Sequence, residues 1–399
     1  MDRSRTLPMM QQVQIPSMFG YGTPGEVVFG NGAVATAGER VAALRGRSVL
    51  VIADKGVATA GLLRLLEDSL RTADVAWESF AEIVGEPNDR SVQAAVDAAR
   101  AHQPDAIVAM GGGSSIDTAK AASAIVASSG TVLDYLRGEQ KLGRAGVPVV
   151  AIATTSGTGA EVTPISVITE VDRRWKAGLS GPVLMPRLAI CDPALTLGLP
   201  SLVTANTGID ALTHCIECYA NSTFHPYAKL LALEGIRVIG RNLRRAVSHG
   251  GDLSARWGMM WGANLGGLCI ARAGTGDVHA FAGPVGGMFG VPHGRALAIL
   301  LPHIMAFSLP GAVEAYADVA EALGEPVAGL SRVAAAERGV EAVRRLVADC
   351  PGPLRLSECG VEEKDIAALT EDGYSRGDRT INPRVATRDD VEAIYRAAL

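Results

Sequence analysis

The apolar positions change their period partway along the chain. Up to about residue 195, short continuous apolar runs alternate with helical stretches. Glu26–Gly30, Ser48–Ala53, Val75–Phe80, Asp105–Met110 and Val149–Ala153 read as strands. The β-branched run Val49-Leu50-Val51-Ile52 suits a strand covered on both faces of a parallel sheet. Helices are predicted near 59–72, over 89–102, where Val92, Ala95, Val96 and Ala99 share a face, and from Thr118 onward. Pro148 stands just before the last run, where a missing N–H costs the ladder least. Strands alternating with helices imply a parallel α/β sheet over roughly residues 20–195. After Pro200, alanine- and leucine-rich segments take over, at about 202–221, 226–248, 253–273, 296–308, 311–323 and 338–349, with no alternating strand among them. The pattern therefore predicts two units, an α/β domain over residues 1–196 and an all-helical domain over 197–399, with residues 1–20 as a loose arm.

Size and composition agree. A chain of 399 residues is longer than one core usually supports. A net charge of -5 leaves no footprint for nucleic acid or an anionic membrane. No run of 18 apolar residues suggests a membrane span, and Met1–Arg5 leads into polar sequence without the apolar core of a signal peptide. Six cysteines do not make a disulfide scaffold in so long a chain, so a reduced, cytoplasmic protein is expected.

Candidate chemistry falls in two places. The predicted strand 105–110 runs into Gly111-Gly112-Gly113-Ser114-Ser115, followed by Asp117 and a helix. Glycines let a backbone approach a phosphate, and a helix N-terminus offers free N–H groups and positive dipole. This is neither the dinucleotide fingerprint nor a P-loop, but three successive glycines exceed what a tight turn needs. Asp54, ending an earlier strand, can accept from ribose hydroxyls and would repel a 2′-phosphate, which favours NAD over NADP; an ordinary helix cap explains it equally well. Thr154-Thr155-Ser156-Gly157-Thr158 also follows a strand, where α/β sheets bind ligands, although a capping loop would look the same.

The second place is in the helical half. Asp210 and His214, spaced i, i+4, share one helix face. His279 and His293 lie in the Gly-rich part of that half, where backbone is expected to yield to a ligand. One carboxylate and three imidazoles form an N/O set suited to Fe²⁺ or Zn²⁺ with a position left for water or substrate. Of the other histidines, His102, His225 and His249 sit in polar surroundings and receive no role, and His303 is structural or supports the ligands. Cys215 and Cys218 form a C-x-x-C without a second pair, and burial explains them better than zinc or redox chemistry.

With these residues in view, the chain resembles the iron-containing (group III) alcohol dehydrogenases from about Glu26 to its C-terminus. The matching motifs are Gly111-Gly112-Gly113-Ser114 with Asp117 and Lys120, Thr154–Thr163, Asp192-Pro193, Asp210 with His214, His279 with Pro292-His293-Gly294, and Asn382-Pro383-Arg384. The resemblance implies an N-terminal nucleotide-binding domain and a helical domain, an architecture shared with dehydroquinate synthase, with a cleft between them. It implies Asp210, His214, His279 and His293 as metal ligands, with Fe²⁺ the first choice and Zn²⁺ the second. It implies Gly113 and Ser114 at the pyrophosphate, Asp54 at the ribose, and Asn88, Thr155, Thr158 and Lys176 at further nucleotide positions. A homodimer joined through the N-terminal strand region is implied as well. The expected activity is an NAD(H)-linked alcohol dehydrogenase or aldehyde reductase acting on a small alcohol or aldehyde.

Two departures stand out. Many relatives carry a second histidine four residues after the first of the late pair; here it is Gly283, so a roomier pocket is expected. Arg272 lies where relatives have a small or neutral side chain, and its guanidinium could clamp a carboxylate, phosphonate or sulfonate. That opens an alternative, a reductase of small anionic aldehydes of the phosphonoacetaldehyde or semialdehyde type. A dehydroquinate-synthase-type lyase would show no net NADH consumption, and a silent nucleotide-binding protein would bind NAD without turnover.

Overall fold

The computed structural model of the protein describes residues 22–144, 146–377 and 379–399. The predicted arm, 1–20, lies outside the described residues. The first half contains β1 (Glu26–Phe29), α1 (Ala37–Ala43), β2 (Ser48–Asp54), α2 (Lys55–Thr59), α3 (Leu63–Thr72), β3 (Ala76–Ile83), α4 (Asp89–His102), β4 (Ala106–Gly111), α5 (Gly113–Val126), α6 (Val132–Leu136), β5 (Val149–Ala153), β6 (Ile165–Glu170), β7 (Trp175–Ser180) and β8 (Leu188–Cys191). Six strands form one parallel sheet in the order β1-β8-β5-β4-β2-β3. Its central strands are buried along their whole length, as their uninterrupted apolar runs predict. Because all six run the same way, the loops after β2, β4 and β5 emerge at one edge of the sheet, and these loops carry Asp54, Gly112–Ser114 and Thr154–Thr158.

Residues 165–180 depart from the expected all-parallel arrangement. β6 and β7 pair antiparallel as a separate two-stranded sheet. The inward face of β6 is Ser166, Ile168 and Glu170. Two of these three are polar, so the apolar alternation that marks a half-buried strand is missing. Ser166 donates to the Asp117 carbonyl (2.8 Å), and Glu170 accepts from Arg137 (2.6 Å).

The second half is helical: α7 (Ser201–Ala220), α8 (Pro226–Ser248), α9 (Leu253–Ala273), α10 (Asp277–Phe289), α11 (His293–Ser308), α12 (Val313–Ala322), α13 (Arg332–Ala348), α14 (Ile366–Ser375) and α15 (Arg388–Ala397). α7 is apolar nearly all round and lies in the core, packed by α8, α9 and α11. The Gly-rich stretch where backbone is expected to yield to a ligand is α10, with Gly283, Gly286 and Gly287 inside the helix. A Cβ on Gly287 would stand 3.0 Å from the Arg174 carbonyl, and one on Gly286 would stand 3.8 Å from Lys176 Nζ. These glycines admit the β6–β7 hairpin against α10; the backbone there yields to another part of the chain. Among the described residues, the stretch long and apolar enough to cross a membrane is 293–311, and 61% of it is buried.

Candidate functional site

α7 displays Asp210, His214 and Glu217 on one face, at i, i+4 and i+7. Two other helices bring the remaining imidazoles to that face. α11 begins at His293 directly after Pro292, and a Cβ on Gly294 would lie 2.1 Å from the Asn206 carbonyl. Only glycine lets the first turn of α11 lie so close to α7, and that contact carries His293 to Asp210. α10 is fixed at its start by side chains. Asp277 N–H donates to Asn382 Oδ1 (2.9 Å) and Val278 N–H to Glu217 Oε1 (2.7 Å), which satisfies amides a helix start leaves without partners.

The three imidazoles meet at one carboxylate oxygen. Nε2 of His214, His279 and His293 lies 3.4, 3.5 and 3.9 Å from Asp210 Oδ1. Asp210 Oδ1 and His279 Nε2 are buried without a hydrogen-bond partner. The rings of His214 and His279 stack with centroids 4.7 Å apart. Ligand atoms about 2.0–2.2 Å from one small cation and arranged tetrahedrally lie about 3.3–3.6 Å apart. His214 and His279 stand at such distances from Asp210 Oδ1 and His293 somewhat farther, a donor set suited to a divalent ion of the Zn²⁺ or Fe²⁺ class, although His214 falls outside the group whose ligand atoms are all mutually close. Asp210, His279 and His293 offer ligand atoms within 4.8 Å of one another. Outside this cluster, Glu217 Oε2 accepts from His279 Nδ1 at 2.5 Å. A carboxylate on Nδ1–H leaves the lone pair on Nε2, the atom aimed at Asp210.

The electrostatics follow from this crowding. Burial disfavours charge on His214 and holds its pKa below the ordinary value, against the pull of Asp210. His293 is lowered in the same way, with Lys176 and the other imidazoles adding to it. Burial also opposes charge on His279, but Glu217 and Asp210 outweigh it and raise its pKa to about 9. Asp210 is buried too, yet the surrounding imidazoles keep its carboxyl below the usual range. Asp277, buried near Glu217, is pushed up to about 7.

The glycine run lies at the sheet edge, between β4 and α5. Gly112 caps α5 with no side chain occupying its first amides. A Cβ on Gly112 would lie 3.2 Å from Thr155 Oγ1, and one on Gly113 would lie 2.7 Å from Thr158 Cγ2, so the two loops line one cradle. Asp54 reconciles its two explanations: Oδ1 caps α2 through Val57 N–H (3.0 Å), while Oδ2 accepts from Ser115 Oγ (3.1 Å) at the cradle. The Thr154 N–H donates to the Gly111 carbonyl (2.9 Å). The loop after β5 also touches the helical half, since a Cβ on Gly157 would stand 2.7 Å from Thr207, one turn before Asp210. Asn88 is the N-cap of α4, accepting from Arg90 and Ser91. Asp117 accepts from Val167 N–H (2.9 Å) and pairs with the buried Lys120 (2.9 Å), so it ties the hairpin to α5. Lys176 on β7 is ion-paired with Glu86 and faces α10.

Other expectations shift. The Arg272 Nη1 donates to the Ala271 carbonyl (3.3 Å), and its Nη2 lies 3.4 Å from a Cβ placed on Gly22; these contacts do not involve the four-residue cluster. The space beside Gly283 is filled: a Cβ there would meet Arg376 Nη1 at 3.1 Å, so the pocket is not roomier at that point. His225 is buried and caps α8 through Ala228 N–H (3.2 Å), where no role was expected. Cys215 and Cys218 are buried, as expected. Sequence reasoning passed over Glu217, although its spacing from Asp210 and His214 was visible, and Arg376, for which the linear sequence holds no signal.

Comparison with known proteins places the whole chain. The model for "Iron-containing alcohol dehydrogenase" matches residues 24–193. The model for "Fe-containing alcohol dehydrogenase family, C-terminal" matches residues 204–399. A NAD-dependent methanol dehydrogenase of Bacillus methanolicus is 36% identical over 376 residues, 94% of this chain and 98% of the relative. A sulfoacetaldehyde reductase of Bilophila wadsworthia is 33% identical over 379 residues, 94% of this chain and 97% of the relative. Among solved structures, a 1,3-propanediol oxidoreductase superposes with a TM-score of 0.92 at 35% identity, covering 96% of this chain and 100% of the other.

Proposed function

The chain belongs to the iron-containing alcohol dehydrogenase family, and from that premise we propose how its residues divide the work of a metal-dependent, NAD(H)-linked alcohol dehydrogenase and aldehyde reductase. The family is one of oxidoreductases acting on CH–OH groups, using NAD(H) and iron. The observation that carries the assignment of residues is the convergence of three Nε2 atoms on Asp210 Oδ1. Asp210, His214, His279 and His293 would hold the ion. When bound, the ion supplies Lewis acidity to the substrate oxygen and the nicotinamide exchanges hydride with the adjacent carbon. Glu217 fixes the tautomer and orientation of His279. The first amides of α5, at Gly113 and Ser114, take the pyrophosphate, with Gly112 allowing close approach. Thr154, Thr155 and Thr158 line the same cradle, and Asp54 takes the ribose. Asn88, Asp117 and Lys176 shape the nucleotide side through α4, the hairpin and β7.

We take residues 1–196 as the nucleotide-binding domain and 197–399 as the metal-binding domain. A homodimer is favoured by β1, which has one neighbour in the sheet among the described residues. A cytoplasmic setting is favoured by the six free cysteines, five of them buried.

The test is NADH oxidation by protein loaded anaerobically with Fe²⁺, with propanal compared with an anionic aldehyde of similar length. Wild-type turnover is expected, and His279→Ala should lose metal and turnover while still binding NADH. Full activity in His279→Ala would overturn the metal assignment. A second reading, an anionic aldehyde held by Arg272, draws on the sulfoacetaldehyde reductase among the relatives. It requires a strong preference for the anion that Arg272→Ala abolishes; a preference for propanal leaves Arg272 without a role.

A further inference from the structure

We propose that Arg376 is a specificity-determining residue that bounds the space beside the metal-binding cluster and limits the length of the alcohol or aldehyde chain; this rests on that cluster being the catalytic site, as read above. Gly283 lies four residues after His279 on α10, so the two share a face. A helical Cβ tilts toward the helix N-terminus, here toward His279. The three atoms nearest a Cβ on Gly283 belong to Arg376: Nη1 at 3.1 Å, and Cδ and Cζ at 3.4 Å. The guanidinium thus occupies side-chain space one turn from a metal-binding imidazole.

Three contacts hold Arg376 there. Asp372 of α14 grips it at two points, Nε to Oδ1 at 2.7 Å and Nη2 to Oδ2 at 3.0 Å. Its Cζ stands 4.0 Å over the ring of Trp175 on β7. Nη1 approaches the Lys176 carbonyl at 3.4 Å. Its side chain is 11% exposed, and that of Asp372 is 17% exposed. A bidentate pair stacked on an indole is a rigid plug, not a mobile surface arginine. Because Asp372 neutralises it, the plug acts by volume. It spans the helical half, through α10 and α14, and the nucleotide half, through β7.

The test removes the plug together with its counter-ion, as Arg376→Ala/Asp372→Ala, so that no carboxylate is left unpaired. Dissociation constants for straight-chain alcohols from ethanol to hexanol are measured with NADH bound, from nicotinamide fluorescence, and kcat/KM is measured for the same series. Each methylene newly accommodated adds about fourfold in affinity. The variant should therefore gain about fourfold per carbon on the longer alcohols relative to wild type, with little change for ethanol. Arg376→Met, which keeps bulk and loses charge, should retain the wild-type profile. If the double variant does not fold, Arg376→Gln should show a smaller shift in the same direction. An unchanged chain-length profile in the double variant, or in Arg376→Gln where the double variant does not fold, overturns the inference. A gain in Arg376→Met as large as in the double variant also overturns it, because charge would then be the operative property. If wild type binds the alcohols but turns none over, the functional reading fails while the binding profile still decides the role of Arg376.

Discussion

Glu217→Gln tests whether the carboxylate behind His279 governs metal binding. Glu217 receives two donors, Val278 N–H at 2.7 Å and His279 Nδ1 at 2.5 Å. Glutamine keeps the shape but has one acceptor oxygen, so one contact is lost or the imidazole changes tautomer and turns an N–H toward Asp210. Loss of such a carboxylate partner costs about 10–100-fold in metal affinity, or about 1.4–2.7 kcal/mol. Protons work the other way. In metal-free protein the pKa of His279 is about 9, so metal must displace a proton at pH 7. Two pH units correspond to about 100-fold of competition. His214 and His293 are shifted down and add no proton in that window. Wild-type affinity should therefore rise about tenfold per pH unit between 7 and 9. Glu217→Gln removes much of what raises the pKa, so its slope flattens, and its defect is small at pH 7 and full at pH 9. Stability of the metal-free fold runs in the opposite direction: the pKa of His279 is raised above its ordinary 6.5, so its contribution is complete below about 6.5 and lost as pH rises through about 9. The assay is competition for Zn²⁺ against a chromophoric chelator at pH 7, 8 and 9. Parallel curves for wild type and variant with no offset at pH 9 would refute the role of Glu217.

Two further substitutions probe the nucleotide side. Asp54→Ala removes the cap on Val57 N–H and should cost about 1 kcal/mol by urea denaturation. It should also raise affinity for NADPH relative to NADH about tenfold, and an unchanged ratio of dissociation constants would exclude Asp54 from the ribose site. Gly159→Ala places a methyl 2.4 Å from Gly267 Cα on a residue with φ of +61°. Overpacking and left-handed strain together should cost about 2–4 kcal/mol in urea denaturation, and a loss below about 1 kcal/mol would mean the seam relaxes freely.

How much could be read in advance depends on where the physical signal lies. The parallel strands announce themselves because both faces are buried and every position is apolar, as at Val49–Ile52. α4, α8 and α9 match their predicted spans, and in the structure Asn88, His225 and Asp252 cap their starts. β6 is hidden because its buried face carries Ser166 and Glu170, whose partners lie far away in the sequence. Asp210 and His214 share a helix face by spacing alone, whereas His279 and His293 could be joined to them only by tertiary packing or by resemblance. The two arginines show the limit most clearly. The sequence marks Arg272 as unusual but does not say that it lies beside Gly22; nor does it connect Gly283 with Arg376, because that pairing exists only once α10 and α14 pack together.

The glycines give the cleft a common physical basis. Their clustering suggested places where backbone meets a ligand, and at Gly112 and Gly113 the cradle keeps that character. Elsewhere they mark where one half of the chain meets the other. Gly157 meets Thr207 on α7, Gly159 and Gly267 put two backbones in contact, and Gly287 admits the carbonyl of Arg174. Within the helical half, Gly294 brings α11 onto α7. A Cβ at Gly157, Gly159, Gly267 or Gly287, the seams between the halves, would push the glycine-rich loops or the β6–β7 hairpin away from the helices that carry Asp210, His279 and His293. The distance from nicotinamide to ion is therefore set by backbone packing. Substitutions at the seams should impair hydride transfer more than they impair NADH binding or metal binding measured separately, since each half keeps its own site and only their register changes.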